Sequence, residues 1–213
     1  MTLTMRIDSI SDRADRAGRY LIKLSDGTTL RLYRQTVEDF SLYSGMEINE
    51  KNLLCLKEAA GKMSAKMRAV RIVAATNVSK KDLEQRLIRK GESPQQAKET
   101  VSWMEGLALL DDEKTARLIV ERCAAKGYGL AKAKQSLFEK RIPKDLWEDA
   151  LADYPDQTEN IVNFLRSRLK DNWEERDLKR AIDALLRKGH AYSQIRQGLQ
   201  CLQMESDDIL EEY

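Results

Sequence analysis

The sequence predicts a mainly α-helical protein, in which three tandem three-helix repeats form an elongated helical solenoid behind a small β-containing N-terminal module. Three observations predict this class. Leu, Ala, Glu, Lys and Arg dominate the 213 residues, and proline occurs only 3 times. From about residue 65 onwards, apolar residues recur at the spacing of one helix face. A short motif then recurs at a nearly constant offset, which is typical of repeat architectures.

The first 62 residues have the pattern of a small sheet with a helix. Met5, Ile7 and Ile10 roughly alternate with polar residues, and residues 20–24 lead into Asp26-Gly27, a strong two-residue hairpin signal. Two or three strands are therefore expected, followed by a short helical turn over 36–43 and a helix over 50–60 capped by Asn49. This module shows no site chemistry.

The repeat is clearest at the ends of the three predicted middle helices. These ends read LIRKG over 87–91, LFEKR over 137–141 and LLRKG over 185–189. Apolar residues upstream and downstream match at the same offsets, so we predict three-helix repeats over 63–108, 109–154 and 155–202, followed by an acidic tail over 203–213. Each repeat offers few core positions, and we expect neighbouring repeats to share a continuous core.

Capping residues support these boundaries. Ser79, Ser93 and Asp112 precede helical segments and can accept a hydrogen bond from an orphan backbone N–H group, and Asp156 precedes the first helix of the last repeat. Pro143 stands where the third helix of the middle repeat should begin, a position that tolerates its missing N–H.

The net charge of +2 hides a segregation along the chain. Residues 63–202 contain 27 Lys and Arg against 21 Asp and Glu, whereas residues 203–213 contain 5 acidic residues and no basic one. This asymmetry indicates a basic working surface beside an acidic end. A helical protein with lysine-rich solvated faces would show the same composition, and both interpretations stay open at this point.

Catalytic and metal-binding patterns are absent from the sequence. His190 is the only histidine, and the 3 cysteines are far apart without a CxxC pair. The string Gly61-Lys62-Met63-Ser64 lacks the upstream glycine and the strand of a phosphate-binding loop. We therefore expect no enzyme activity, no cofactor and no metal. No apolar run is long enough to span a bilayer and no secretory leader is evident, so a cytoplasmic protein is expected.

Basic surface is the remaining signal. Residues 126–144 carry 6 Lys and Arg against the single acid Glu139, and Gly127-Tyr128-Gly129 would bring backbone N–H groups close to an anion. Comparable cations recur in the other two repeats, so stacking is expected to align them into one stripe that tracks a phosphate backbone. The candidate DNA- or filament-binding residues are Lys80, Lys81, Arg86, Arg89, Lys90, Lys126, Lys132, Lys134, Lys140, Arg141, Lys179, Arg180, Arg187 and Lys188.

Three tryptophans are further candidates for contact with a partner. Trp147 lies on an apolar stripe and is expected in the core. Trp103 and Trp173 lie off such a stripe, where base stacking, docking against a protein and packing between repeats are all open.

The stretch LLDDEKTARLIVERCAAKGYGLAKAKQSLFEKRI resembles the signature of the RecX family, the bacterial regulators of the RecA recombinase. SKKDLEQRLIRKGESPQQAKETVSWMEGLALLDD and DLKRAIDALLRKGHAYSQIRQGL resemble the first and last repeats of that family. The resemblance covers about residues 63–202. It departs from the family at His190, where an aromatic residue is common, and at Arg141-Ile142, where Gly-Ile is usual. Residues 1–62 loosely resemble an N-terminal extension of some members.

The resemblance implies a non-enzymatic modulator that lies along the groove of the RecA filament on DNA and typically inhibits ATP hydrolysis and strand exchange. It supplies no binding residues, so the candidates above rest on charge alone. Two alternatives remain. One is a stand-alone DNA-binding regulator built from helix-turn-helix-like units, and the other is a protein-binding helical scaffold.

Overall fold

A computed structural model describes residues 4–169 and 173–211, with side chains through Leu202. The chain divides into two compact units, Met1–Leu110 and Asp111–Tyr213. The prediction of a mainly helical fold with a small β-containing N-terminal module is confirmed, since the described part has ten helices and four short strands near its start. The side chains of the acidic stretch 203–213 lie outside the described residues.

The sheet of the first unit is antiparallel, with strand order β3-β2-β1-β4. Asp26 and Gly27 form the predicted hairpin turn, with Gly27 at φ +82. The fourth strand was not predicted because it has only three residues and follows a glycine turn. The strands are β1 (Thr4–Ile10), β2 (Arg19–Leu24), β3 (Thr29–Tyr33) and β4 (Glu47–Asn49).

Two helices complete this sheet module, α1 (Arg34–Asp39) and α2 (Glu50–Ala75). The Asn49 side chain caps α2 as predicted, accepting from the Asn52 N–H at 2.8 Å. The helix is much longer than the predicted 50–60 and continues through the boundary placed at residue 62. Gly61 alone costs about 1 kcal/mol in a helix interior, and the buried Ala65 and Ala69 continue the apolar face past it.

The other helices of the first unit are α3 (Lys80–Arg89) and α4 (Pro94–Gly106). Ser79 caps α3 by accepting from the Asp82 N–H at 3.1 Å. Ser93 and Gln96 form a capping box at the start of α4, with Pro94 at the first helical position. Both predicted caps are confirmed.

The second unit begins with α5 (Asp112–Ala125), α6 (Leu130–Glu139), a 3₁₀ turn (Lys144–Leu146) and α7 (Trp147–Leu151). It continues with α8 (Thr158–Arg168), α9 (Glu175–Arg187) and α10 (Tyr192–Glu211). Asp111 caps α5 by accepting from the Lys114 N–H at 2.9 Å. The predicted cap, Asp112, is instead the first helical residue. Helix α10 continues into the stretch predicted as a tail.

The expectation of a core shared between neighbouring repeats is wrong within the second unit. One cluster of buried residues surrounds Ala116, Ala133 and Leu137, and a separate one surrounds Ile161 and Leu185. The first unit likewise has separate clusters for the sheet module and for the three helices α2, α3 and α4. Each three-helix set thus buries its own apolar faces.

The repeated motif at the ends of the middle helices has one backbone conformation. Gly91, Arg141 and Gly189 have φ values of +94, +56 and +88. In each case the following N–H closes the helix by donating to a carbonyl five residues earlier, for example Ile142 to Leu137 at 3.0 Å. This is the Schellman motif, which places a left-handed residue directly after the helix.

Candidate nucleic-acid interface

The Gly127-Tyr128-Gly129 loop does not present free N–H groups to an anion, so that prediction is wrong. The Gly129 N–H donates to the Lys188 carbonyl at 2.9 Å, and the Ala131 N–H donates to the Gly189 carbonyl at 3.2 Å. The N-terminus of α6 therefore meets the C-terminus of α9, where the two helix dipoles attract each other. The loop's backbone donors are used inside the second unit.

Two glycines make this junction possible. A Cβ atom on Gly129 would lie 2.0 Å from the Gly189 carbonyl oxygen, and one on Gly189 would lie 2.3 Å from the Lys132 backbone nitrogen. Neither position has room for a side chain. Both glycines are visible in the sequence as helix-ending residues, but their close approach depends on residues about 60 apart, which local turn rules do not connect.

His190 closes the junction from the side of the last repeat. It is 4% exposed, and its Nε2 lies 3.1 Å from the Gly127 carbonyl oxygen, to which the Nε2–H donates. Burial lowers the pKa of His190 from its ordinary value, the Gly127 carbonyl partly opposes this, and nearby Lys188 adds to the lowering. The imidazole is therefore neutral near pH 7.

The junction brings cations of two repeats into one neighbourhood. Lys132 lies on the first turn of α6 against Gly189, and Lys188 directly precedes Gly189 at the end of α9. The Lys188 ammonium lies 4.3 Å from the centre of the Phe164 ring, and Lys132 Nζ lies 3.0 Å from Gln135 Oε1. Lys134 on α6 and Arg187 on α9 are exposed cations, as is Lys126 at the end of α5.

The first unit has a cationic groove between α2 and the end of α3. Its volume is about 700 Å³. Three predicted residues line it: Arg86, Arg89 and Lys90. No carboxylate of the described residues lies within ion-pair distance of Arg89 or Lys90, whereas Arg86 pairs with the buried Asp82 at 3.0 Å.

Two further arginines of this groove, Arg68 and Arg71, were missed by the sequence analysis. Arg68 pairs with Glu92 at 2.9 Å and donates to the Lys90 carbonyl at 2.5 Å. Arg71 has no carboxylate partner in the described residues. Their spacing of three residues puts them on one face of α2, which contains the predicted first helix of the repeat, whereas the cations predicted for this repeat all lie on or next to its second helix.

The remaining candidates lie apart from the groove and the junction. Lys80 pairs with Glu105, Lys179 with Glu175 at 3.9 Å, and Arg180 with Asp177 at 3.7 Å. Exposed pairs of this kind contribute little to stability, and they partly neutralise the cations. Lys81 is exposed on α3, while Lys140 and Arg141 follow the end of α6.

The tryptophans have distinct surroundings. Trp147 packs on the core of its repeat, as predicted, and its Nε1–H donates to the Ile142 carbonyl at 3.1 Å. Trp103 packs partly against the core of the first unit, with Lys66 Nζ at 4.8 Å from its ring centre. Trp173 is 48% exposed and offers a free aromatic surface.

The junction between α6 and α9 and the groove between α2 and α3 both carry side chains that can bind phosphate. Arginine guanidinium groups match phosphate oxygens in pairs, and lysines add point charge. In the described part of the chain, no three His, Cys, Asp or Glu side chains come together as a metal site would need. Among the same residues, no helix has both the length and the apolar character that crossing a bilayer requires. One continuous stripe across all three repeats stays a prediction.

Comparison of the sequence with known proteins identifies relatives that share one name, regulatory protein RecX. The chain is 24% identical over 192 residues to the regulatory protein RecX of Streptococcus sanguinis, an alignment that covers 88% of this chain and 74% of that protein. It is 30% identical over 135 residues to the regulatory protein RecX of Prosthecochloris aestuarii, covering 62% of this chain and 89% of the relative. No family model matches the chain.

Solved structures show the same fold. A crystal structure of a regulatory protein RecX superposes with a TM-score of 0.60 at 21% identity, covering 91% of this chain and 99% of that one. The crystal structure of RecX from Lactobacillus salivarius gives a TM-score of 0.58 at 23% identity, covering 68% and 99%.

Proposed function

The chain belongs to the RecX family of regulatory proteins, and we propose that it is a non-enzymatic regulator of the RecA recombinase. In this proposal it binds along the groove of the RecA filament on DNA, in the cytoplasm. There it inhibits ATP hydrolysis and strand exchange during DNA repair and the SOS response. Family membership is the observation that carries the proposal.

The cationic surfaces support a DNA contact. The groove between α2 and α3 places five arginine or lysine side chains around one open volume. Within the described part of the chain, an adjacent carboxylate neutralises only Arg68 and Arg86. Such a surface binds a phosphate backbone without reading sequence, and the affinity falls steeply with salt. DNA-bound RecA offers both a protein surface and a phosphate backbone.

The direct test is ATP hydrolysis and strand exchange by RecA on single-stranded DNA, with substoichiometric amounts of this protein added. We expect both rates to fall. A variant with Arg89→Glu and Lys90→Glu should inhibit less, because it reverses two of the three groove cations that have no carboxylate partner among the described residues. A matched variant with Lys51→Glu and Lys62→Glu, both exposed outside the groove, should inhibit like the wild type.

Three outcomes would contradict the proposal. If the rates of ATP hydrolysis and strand exchange by RecA are unchanged at low salt, the protein does not regulate RecA. A preferred duplex sequence in a selection experiment would instead favour a stand-alone DNA-binding regulator, and DNA affinity that does not depend on salt would favour a protein-binding scaffold.

A further inference from the structure

A second cationic cleft lies in the N-terminal β module. Its volume is about 510 Å³, and it is formed by the loop between β1 and β2 together with residues of β2 and β3. Four arginines and one aspartate line it, a balance of +3: Arg13, Arg16, Arg19, Arg31 and Asp15. No site chemistry is evident from the sequence of this module, because these arginines are spread over 19 residues of two strands and a loop.

The Asp15 carboxylate stabilises the loop by hydrogen bonds, and its charge is neutralised by the Arg19 guanidinium. Its carboxylate accepts from the N–H groups of Ala17 at 2.8 Å and Arg19 at 3.0 Å, and it pairs with the Arg19 guanidinium at 2.9 Å. The hydrogen bond from the Arg19 backbone and then that from its side chain lower the pKa of Asp15. The acid of the cleft is thus bound to Arg19.

The other three arginines have no such partner. Within the described residues, no carboxylate lies at ion-pair distance from Arg13, Arg16 or Arg31, and all three are exposed. Three guanidinium groups on one ordered loop and strand repel one another. A bound polyanion would relieve that repulsion.

Arg71 joins this cleft to the groove between α2 and α3. Its Nη2 donates to the Ala17 carbonyl at 2.8 Å and lies 3.4 Å from the Tyr33 hydroxyl. Arg71 lines the groove, and its guanidinium contacts Ala17, which lines the cleft. Within the first unit, the two cationic cavities are therefore neighbours.

We propose that the N-terminal β module binds the sugar-phosphate backbone of a nucleic-acid strand in this arginine cleft, which extends the groove between α2 and α3. A row of guanidinium groups suits a ligand with regularly spaced phosphates. An acidic protein segment fits less well, because such partners are normally anchored by a large apolar side chain in a pocket, and the apolar lining here is Ala14, Ala17 and Leu21. The inference rests on the proposed function only in taking DNA as the polyanion.

The test measures binding of the full chain to a labelled oligo-dT strand by fluorescence anisotropy at several salt concentrations, without RecA. The cleft variant combines Arg13→Gln, Arg16→Gln and Arg31→Gln. Its matched control removes three exposed charges outside both cavities, with Lys51→Gln, Lys62→Gln and Lys98→Gln. We expect the salt slope of the cleft variant to become shallower by about 2 and its low-salt affinity to fall at least about tenfold, while the control stays close to wild type.

Circular dichroism verifies that all three proteins keep the same helix content. Equal binding by the cleft variant and the control overturns the inference, whatever RecA does. Loss of binding in the cleft variant, with no effect of the wild type on RecA, overturns the proposed function alone. Tighter binding of polyglutamate than of oligo-dT, lost in the cleft variant, would assign the cleft to an acidic protein segment and also overturn the inference.

Discussion

Arg141→Gly should stabilise the second unit, although it removes a charged side chain from a helix end. Arg141 has φ +56, a left-handed conformation in which Cβ crowds the following carbonyl group. The Schellman hydrogen bonds from Arg141 to Phe138 at 2.9 Å and from Ile142 to Leu137 at 3.0 Å hold it there. Ile142 is 4% exposed, so the chain after the helix cannot move away to relieve the strain.

The expected gain follows from two opposing effects. A non-glycine residue in the left-handed region costs roughly 1–2 kcal/mol. Glycine loses more backbone entropy on folding, which offsets about 0.5–1 kcal/mol. The net stabilisation is about 0.5–1 kcal/mol, which for a unit of about 100 residues corresponds to a rise in Tm of about 2–8 °C.

Urea unfolding followed by circular dichroism, together with calorimetry, measures this change. Arg141→Ala is the matched control, because it removes the guanidinium group and keeps the strained backbone. Only Arg141→Gly should gain stability. If Arg141→Gly is no more stable than Arg141→Ala, left-handed strain does not determine the stability of this position. Because Arg141 is also a binding candidate, both variants should bind DNA more weakly.

Two further predictions concern the junction between α6 and α9. Gly129→Ala should destabilise the second unit by at least about 3 kcal/mol, because its methyl group would lie 2.0 Å from the Gly189 carbonyl oxygen and displace two backbone hydrogen bonds. Urea unfolding measures this loss. The control is Gly106→Ala, whose methyl group would meet open space and should cause no loss of stability. Burial lowers the pKa of His190, so the unfolded state binds a proton first as the pH falls below about 6.5, and the stability of the unit should decrease through that window down to the folded pKa. Urea midpoints at several pH values test this, and a decrease of the same size in His190→Gln would refute it.

Local rules predicted the elements that local chemistry determines. Three kinds of feature depend on residues within a few positions of each other. They are the hairpin at Asp26-Gly27, the helix caps at Asn49, Ser79 and Ser93, and the repeated helix ends. The β4 strand and the continuation of α2 beyond Ala60 depend on packing within the module, and neither has a strong local signal.

The candidate site was predicted less completely because its geometry is tertiary. Arg86, Arg89 and Lys90 were found as charges, but their meeting with Arg68 and Arg71 depends on α2 lying beside α3. The loop at Gly129 was predicted to bind an anion, but its N–H groups donate to carbonyl groups at the end of α9. Composition identified the basic surface, whereas contacts between helices decide which cations are neutralised.

The helix dipole is the strongest competing explanation for the recurring cations. Arg86 and Arg89 lie in the last turn of α3, and Arg187 lies in the last turn of α9, where positive charge is favourable without any ligand. Recurrence at helix ends therefore does not by itself indicate DNA binding. Arg68 and Arg71 precede the last turn of α2, which contains no basic residue, so the dipole does not account for them. The Arg71 guanidinium also donates to the loop of the sheet module. Because Arg71 lies away from the helix end, a loss of DNA binding on its substitution would indicate a binding surface and could not be attributed to the helix dipole.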